Sequence, residues 1–117
     1  MARTLLIVDD HPSFRSSARR VMEAGGFLVV GEAADGASGL VAVRELRPDV
    51  VLLDVGLPDV DGFVVADRIN ALDEPPRIVI VSSRDSSDFG PLVAACGACG
   101  FVAKADLSGD AVAALLP

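Results

Sequence analysis

The sequence predicts an α/β protein in which a parallel sheet lies buried between helices. Three observations lead there. Short apolar runs without polar alternation, such as Leu5-Leu6-Ile7-Val8 and Val50-Val51-Leu52-Leu53, have the character of strands covered on both faces. Helix-like segments alternate with these runs five times, the pattern of βα units joined by right-handed crossovers in a doubly wound sheet. Charged residues close several of the runs: Asp9-Asp10 the first, Asp54 the Val50 run and Lys104 the run Phe101-Val102-Ala103. In open sheets of this kind ligands bind beyond the carboxyl ends of the strands, so these charges are expected to share one site.

Each element has its local reason. The first helix should open near Pro12, since proline suits a first-turn position, and should turn Phe14, Ala18, Val21 and Met22 to one side before Gly25-Gly26 ends it. Phe27-Leu28-Val29-Val30 reads as the second strand. Asp35-Gly36 leads into a helix carrying Leu40, Val43 and Leu46, which Pro48 stops. After Asp54 comes a turn-rich loop through Gly56, Pro58, Asp59 and Gly62, then a helix with Val65, Ile69 and Leu72 inward. Asp59 and Asp61 are turn and cap residues in this reading, Asp61 as the helix N-cap. Pro75-Pro76 breaks the chain before Ile78-Val79-Ile80-Val81, which ends at Ser82-Ser83. A weaker helix, the Phe101 strand and a last short helix from about Leu107 complete the chain.

At 117 residues the chain is expected to form one domain, residues 1–117, with no linker or repeat. Half of it is hydrophobic, yet no apolar run approaches the roughly 18 residues of a membrane span, and Met1-Ala2-Arg3-Thr4 does not resemble a signal peptide. The net charge of −7 argues against nonspecific nucleic-acid binding. Cys96-Gly97-Ala98-Cys99 has the spacing of a redox pair, but it stands at a helix end rather than a helix start, and a single His leaves too few partners for structural zinc. Two small buried hydrophobes are the expectation, and the lack of a disulfide framework fits the cytoplasm.

Three clustered acids repel one another and need raised pKa values or a bound cation. Carboxylates with room for water suit Mg2+. A carboxylate can also act as a nucleophile toward phosphorus, provided that a metal and a lysine neutralise the phosphoryl oxygens and a hydroxyl such as Ser82 donates to another.

With these residues in place, the chain resembles the bacterial response-regulator receiver domains. The resemblance rests on Leu6-Ile7-Val8-Asp9-Asp10-His11-Pro12, Gly31-Glu32-Ala33 with Asp35-Gly36, Pro48-Asp49-Val50 through Asp54, and Leu57-Pro58 with Asp61-Gly62. Ile80-Val81-Ser82 and Gly100-Phe101-Val102-Ala103-Lys104 complete the set. The wording around His11-Pro12 and Lys104-Ala105-Asp106 is similar to the NarL/LuxR-type subgroup. The resemblance implies a flavodoxin-like (βα)5 fold with a five-stranded parallel sheet of order 2-1-3-4-5. It implies Asp54 as phosphoacceptor, Asp10 as a direct Mg2+ ligand, Asp9 as the acid holding metal-bound water, and the Gly56 carbonyl as a further ligand. Ser82 becomes the switch hydroxyl, Phe101 the aromatic that repacks with it, and Lys104 the phosphate-pairing cation. His11 is expected at the loop and helix start rather than as a ligand. A sensor histidine kinase would supply the phosphoryl group, and the receiver would catalyse transfer and slow hydrolysis itself rather than act as an enzyme on other substrates.

Departures from the pattern shape the remaining expectations. Gly90-Pro91 should delay and shorten the fourth helix, which puts a homodimer through that face in question. Ala105 follows Lys104, so a cis peptide is not expected there. Gly56 removes a side chain beside the acceptor. No helix-turn-helix follows Leu116-Pro117, so DNA would be reached only through a C-terminal domain outside this chain, and the output, a transcriptional one by resemblance, would otherwise be by contact. The rival readings are a phosphorylation-independent interaction domain of the same fold, an aspartate-nucleophile phosphatase, and a dinucleotide-binding domain. The phosphatase lacks its DxDxT after the first strand, and the dinucleotide reading lacks GxGxxG.

Overall fold

The computed structural model describes residues 2–83 and 90–117. Five strands, β1 (Thr4–Val8), β2 (Leu28–Ala33), β3 (Val50–Asp54), β4 (Arg77–Ser82) and β5 (Gly100–Ala103), form one all-parallel sheet in the order β2-β1-β3-β4-β5. The intervening helices are α1 (Pro12–Ala24), α2 (Gly36–Leu46), α3 (Gly62–Asn70) and α4 (Gly90–Ala95), and α5 (Gly109–Leu115) follows β5.

The apolar runs are buried on both faces, as their composition requires. Leu6, Val8, Val51, Leu53, Ile78 and Ile80 point to one side, where Val43 of α2 and Val65, Ala66 and Ile69 of α3 cover them. Leu5, Ile7, Val50, Leu52, Val79 and Val81 point to the other, against Ala18 and Met22 of α1 and Val112 of α5. Neighbouring residues of one strand thus anchor two separate cores.

Helix ends follow the local chemistry. Pro12 stands at the start of α1, behind His11. The Asp35 carboxylate accepts from Ser38 N–H to cap α2, that of Asp61 from Phe63 N–H to cap α3, and the Ser108 hydroxyl from Ala111 N–H to cap α5. Helix α2 ends on Arg47 in the left-handed region rather than on a glycine, because Pro48 forbids another turn.

Several expectations change. The second strand begins at Leu28 and runs on through Gly31-Glu32-Ala33, with Phe27 buried just before it. Its pairing with β1 skips Val30, a bulge between Leu5 and Leu6. Leu46 is 44 % exposed. It lies at the last turn of α2 over the sheet edge, its Cδ1 filling the space that a Cβ at Gly31 would take. The last helix starts two residues later than expected, since a 3-10 turn, Lys104–Asp106, comes first. The fourth helix is short, Gly90–Ala95, with no buried residue, but it includes Gly90-Pro91 rather than starting after them; residues 84–89 lie outside the described ones. The described residues contain no cis peptide, and none of their helices is long and apolar enough to cross a membrane.

Gly62 fixes the loop after β3. Its N–H bonds to the Val55 carbonyl, and a Cβ there would fall 2.6 Å from Val55 Cα and closer still to the Asp54 carbonyl oxygen. Backbone cannot give way as a side-chain tip can. Overpacking of this kind costs about 1–3 kcal/mol, so Gly62→Ala should lower the thermal midpoint by roughly 5–15 °C. A melt of the purified variant that matches the wild type would overturn this account.

Candidate phosphoacceptor and metal site

Strand register assembles the site. Val8 pairs with Leu53, so Asp9, one residue on, comes beside Asp54. Asp54 pairs with Val81 and Ser82 with Ala103, so Ser82 and Lys104 follow one step further along the same edge. Residues far apart in the chain thus reach the carboxyl end of the sheet together.

The acids are unequally buried. Asp9 is fully buried, Asp54 is 4 % exposed, and Ser82 is also buried, while Asp10 is half-open to solvent. Lys104 answers the charge: its Nζ lies 2.6 Å from Asp9 Oδ2 and 3.6 Å from Asp54 Oδ2, with the Phe14 ring centroid 4.4 Å away. The ammonium is therefore held on three sides, by two carboxylates and the face of an aromatic ring. Asp9 is held in turn, its Oδ1 accepting from His11 N–H at 2.8 Å and its main-chain carbonyl from Arg15 Nη1 at 2.6 Å.

Burial raises the Asp54 pKa above its ordinary value, and the charge of Asp9 adds to the rise. Lys104 and a hydrogen bond from the Gly56 N–H oppose it, and Asp10 adds a smaller push upward. Gly56 leaves this carboxylate open, since even a Cβ there would stand 3.8 Å from Asp54 Oδ2. Gly56 meets Asp54 through its N–H.

The donor set fits a hard divalent cation. Asp9, Asp10, His11 and Asp54 each offer an atom within 4.8 Å of the others. Asp9 Oδ2 and Asp10 Oδ1 are buried oxygens that accept no hydrogen bond among the described residues; Lys104 Nζ meets the first, and His11 Nδ1 lies 3.1 Å from the second. Carboxylate oxygens left with such spare capacity are what Mg2+ selects.

The structure brings together Asp9, Asp10, Asp54 and Lys104, and it sets Ser82 and Gly56 at the same edge. Phe101 is half-buried on β5, packed on the core shared with α2 and α3. Cys96 is a buried member of that core and Cys99 is partly exposed; both are free thiols. Three contributions were not legible. Phe14 carries no signal beyond helix amphipathicity, yet it flanks Lys104. His11, expected at the helix start, also lies against both Asp9 and Asp10. Asp59 caps not its own helix but α2, its two oxygens accepting from Gly36 N–H at 2.8 Å and Ala37 N–H at 3.0 Å. Those bonds, the Gly36 one foremost, hold its carboxyl below its ordinary pKa.

A parallel sheet of order 2-1-3-4-5 with acids and a lysine at its carboxyl edge defines a flavodoxin-like receiver fold. The chain belongs to the response regulator receiver domain family, whose model matches residues 5–115. It is 40 % identical over 104 residues to the transcription regulator BvgA of Bordetella pertussis, covering 89 % of this chain and 50 % of that protein. A LuxR-family two-component response regulator from Aurantimonas sp. SI85-9A1 superposes with a TM-score of 0.87 at 33 % identity, over 98 % of this chain and 86 % of that one. The signal receiver domain of NarL from Mycobacterium tuberculosis does so with a TM-score of 0.86 at 31 % identity, over 97 % and 96 %. The chain spans about half the length of the curated relatives it matches.

The raised pKa of Asp54 has a consequence for stability. A carboxyl whose folded pKa is raised contributes fully below its unfolded value, near 3.8, and loses that contribution as pH rises through the folded value. At neutral pH the Asp54 carboxyl therefore costs stability. Asp54→Asn should melt higher than wild type at pH 7, by a few degrees, with the gap closing toward pH 4. A variant that melts lower at pH 7, or a gap that widens on acidification, would contradict the cause assigned to the shift.

Proposed function

We propose that residues 1–117 form a receiver domain that accepts a phosphoryl group from a sensor histidine kinase onto Asp54, in a Mg2+-dependent reaction. The observation that carries this reading is the Asp9–Lys104–Asp54 arrangement, with distances of 2.6 and 3.6 Å beside buried oxygens lacking hydrogen bonds. Asp10, Asp54 and the Gly56 carbonyl would hold the metal, with Asp9 orienting its water; bound there, the ion would neutralise phosphoryl oxygen charge. Cation charge also offsets the burial and the Asp9 charge that raise the Asp54 pKa, and the ionised form is the nucleophile.

In the transfer, an Asp54 carboxylate oxygen attacks phosphorus as the phosphorus–nitrogen bond of the donor phosphohistidine breaks. The departing imidazole nitrogen keeps the electron pair and takes up a proton, and Asp54 becomes an acyl phosphate. Lys104 faces a choice between partners. Its ammonium, now nearer Asp9, pairs with a phosphoryl oxygen once Asp54 bears one, because the new group carries more negative charge and more acceptors than the carboxylate did. The Ser82 hydroxyl donates to another oxygen, and Phe101 repacks as Ser82 turns. Such a change biases an equilibrium by about 1–3 kcal/mol rather than throwing an absolute switch.

The output is transcriptional in this reading, since the relatives are transcription regulators about twice as long as this chain. DNA contact belongs to a further domain, and the setting is cytoplasmic. The domain modifies itself and is not an enzyme acting on other substrates.

Incubation with Mg2+ and acetyl phosphate, followed by intact mass measurement, tests the proposal. Wild type should gain one phosphoryl group, lose that gain when the metal is chelated, and be matched by no gain in Asp54→Asn. If folded wild type gains nothing from acetyl phosphate or from a histidine kinase, the phosphoacceptor reading falls, and a phosphorylation-independent interaction domain takes its place.

A further inference from the structure

We infer that His11 is a metal ligand, and that it turns this site toward first-row transition ions, Co2+ more than Mn2+, and away from strict Mg2+ selectivity. The inference rests on the metal site of the proposed function and concerns a residue which that function does not use.

Geometry carries it. His11 Nδ1 lies 3.1 Å from Asp10 Oδ1 and 3.2 Å from Asp9 Oδ1. Two ligands at right angles on an ion about 2.1–2.2 Å away stand roughly 3.0–3.1 Å apart, the edge of an octahedron. The approach to Asp9 Oδ1 is a hydrogen bond, but the one to Asp10 Oδ1 is not: that oxygen is buried and accepts none. Nδ1 and Asp10 Oδ1 thus face each other at ligand spacing without a proton shared between them.

The ring is placed by its neighbours rather than by chance. His11 N–H is bound to Asp9 Oδ1 at 2.8 Å, and Pro12 confines the residue before it to extended backbone, here φ −93° and ψ 109°. The side chain does no capping for α1, so helix formation leaves the imidazole uncommitted. In the metal-free site Nδ1 donates to Asp9 Oδ1; for ligation the ring's proton moves to Nε2, on a side chain 63 % exposed, and the Nδ1 lone pair goes to the ion. An imidazole nitrogen in an otherwise all-oxygen set adds affinity along the order of first-row divalent ions and adds little for Mg2+, which prefers oxygen.

The chain contains one histidine, so an imidazole signal at a bound metal can come only from His11. We would load the untagged protein with Mn2+ and record pulsed EPR, then titrate Mg2+ and Co2+ by calorimetry into wild type and His11→Asn. The expected result is a 14N coupling on Mn2+ that the variant lacks, together with a loss of about tenfold or more in Co2+ affinity, since even an outer partner of a metal ligand is worth about 10–100-fold. Mg2+ affinity should change less than about twofold. Absence of 14N coupling in metal-loaded wild type, or equal losses for Mg2+ and Co2+, would overturn the ligand role. Failure of Mg2+ to bind, with Co2+ bound and the nitrogen coupling present, would instead sink the Mg2+-dependent phosphoacceptor reading and leave His11 as a ligand. Failure of all three ions would sink both.

Discussion

Three carboxylates, two of them almost wholly withdrawn from water, stand at one end of the sheet with a single ammonium among them. Buried like charges oppose folding unless something offsets them, and Lys104 does so by lying between Asp9 and Asp54. The aromatic face of Phe14 and the Arg15 bond to the Asp9 carbonyl complete the enclosure. Everything else about the fold delivers these groups: four strands must end level, in one register, for charges so far apart in sequence to meet. The arrangement remains short of positive charge; burial first, and the Asp9 charge after it, make Asp54 hold its proton more tightly than an ordinary carboxyl.

That shortage joins stability to function. A structure stabilised to the utmost would have replaced an acid or added a second cation. Instead the two apolar cores, one on each face, carry the cost, and the strands beneath the acids are almost completely buried. The site can then respond strongly to any added cation or phosphoryl group, because each changes a balance that the protein leaves unsettled.

Most of this was legible in the sequence because apolar runs closed by charge encode both the strand and the address of the site. Asp9, Asp10, Asp54 and Lys104 could be placed at one edge without coordinates, and Pro12, Asp35 and Asp61 marked their helix starts. The rest turned on contacts between segments, which local pattern does not record. Leu46 has the spacing of a core residue but falls at the rim, where the sheet ends. Asp59 looks like a turn residue, and only the folded chain shows that its carboxylate serves another helix. His11 reads as a residue beside a proline, and its relation to the two acids depends on the bend that Asp9 imposes on the backbone.

The Asp59 clasp bears on how a disturbance at Asp54 spreads. On one side of the acceptor, the following loop is pinned twice: Gly62 is wedged against the Asp54 backbone, and Asp59 is fastened to the start of α2, where Val65 of α3 also closes on Gly36. On the other side, α4 buries none of its residues. The acceptor is thus clasped on the side of α2 and α3 and only loosely covered on the side of α4. A displacement at Asp54 toward α2 and α3 has to break those contacts, whereas one toward α4 uncovers no buried residue of that helix.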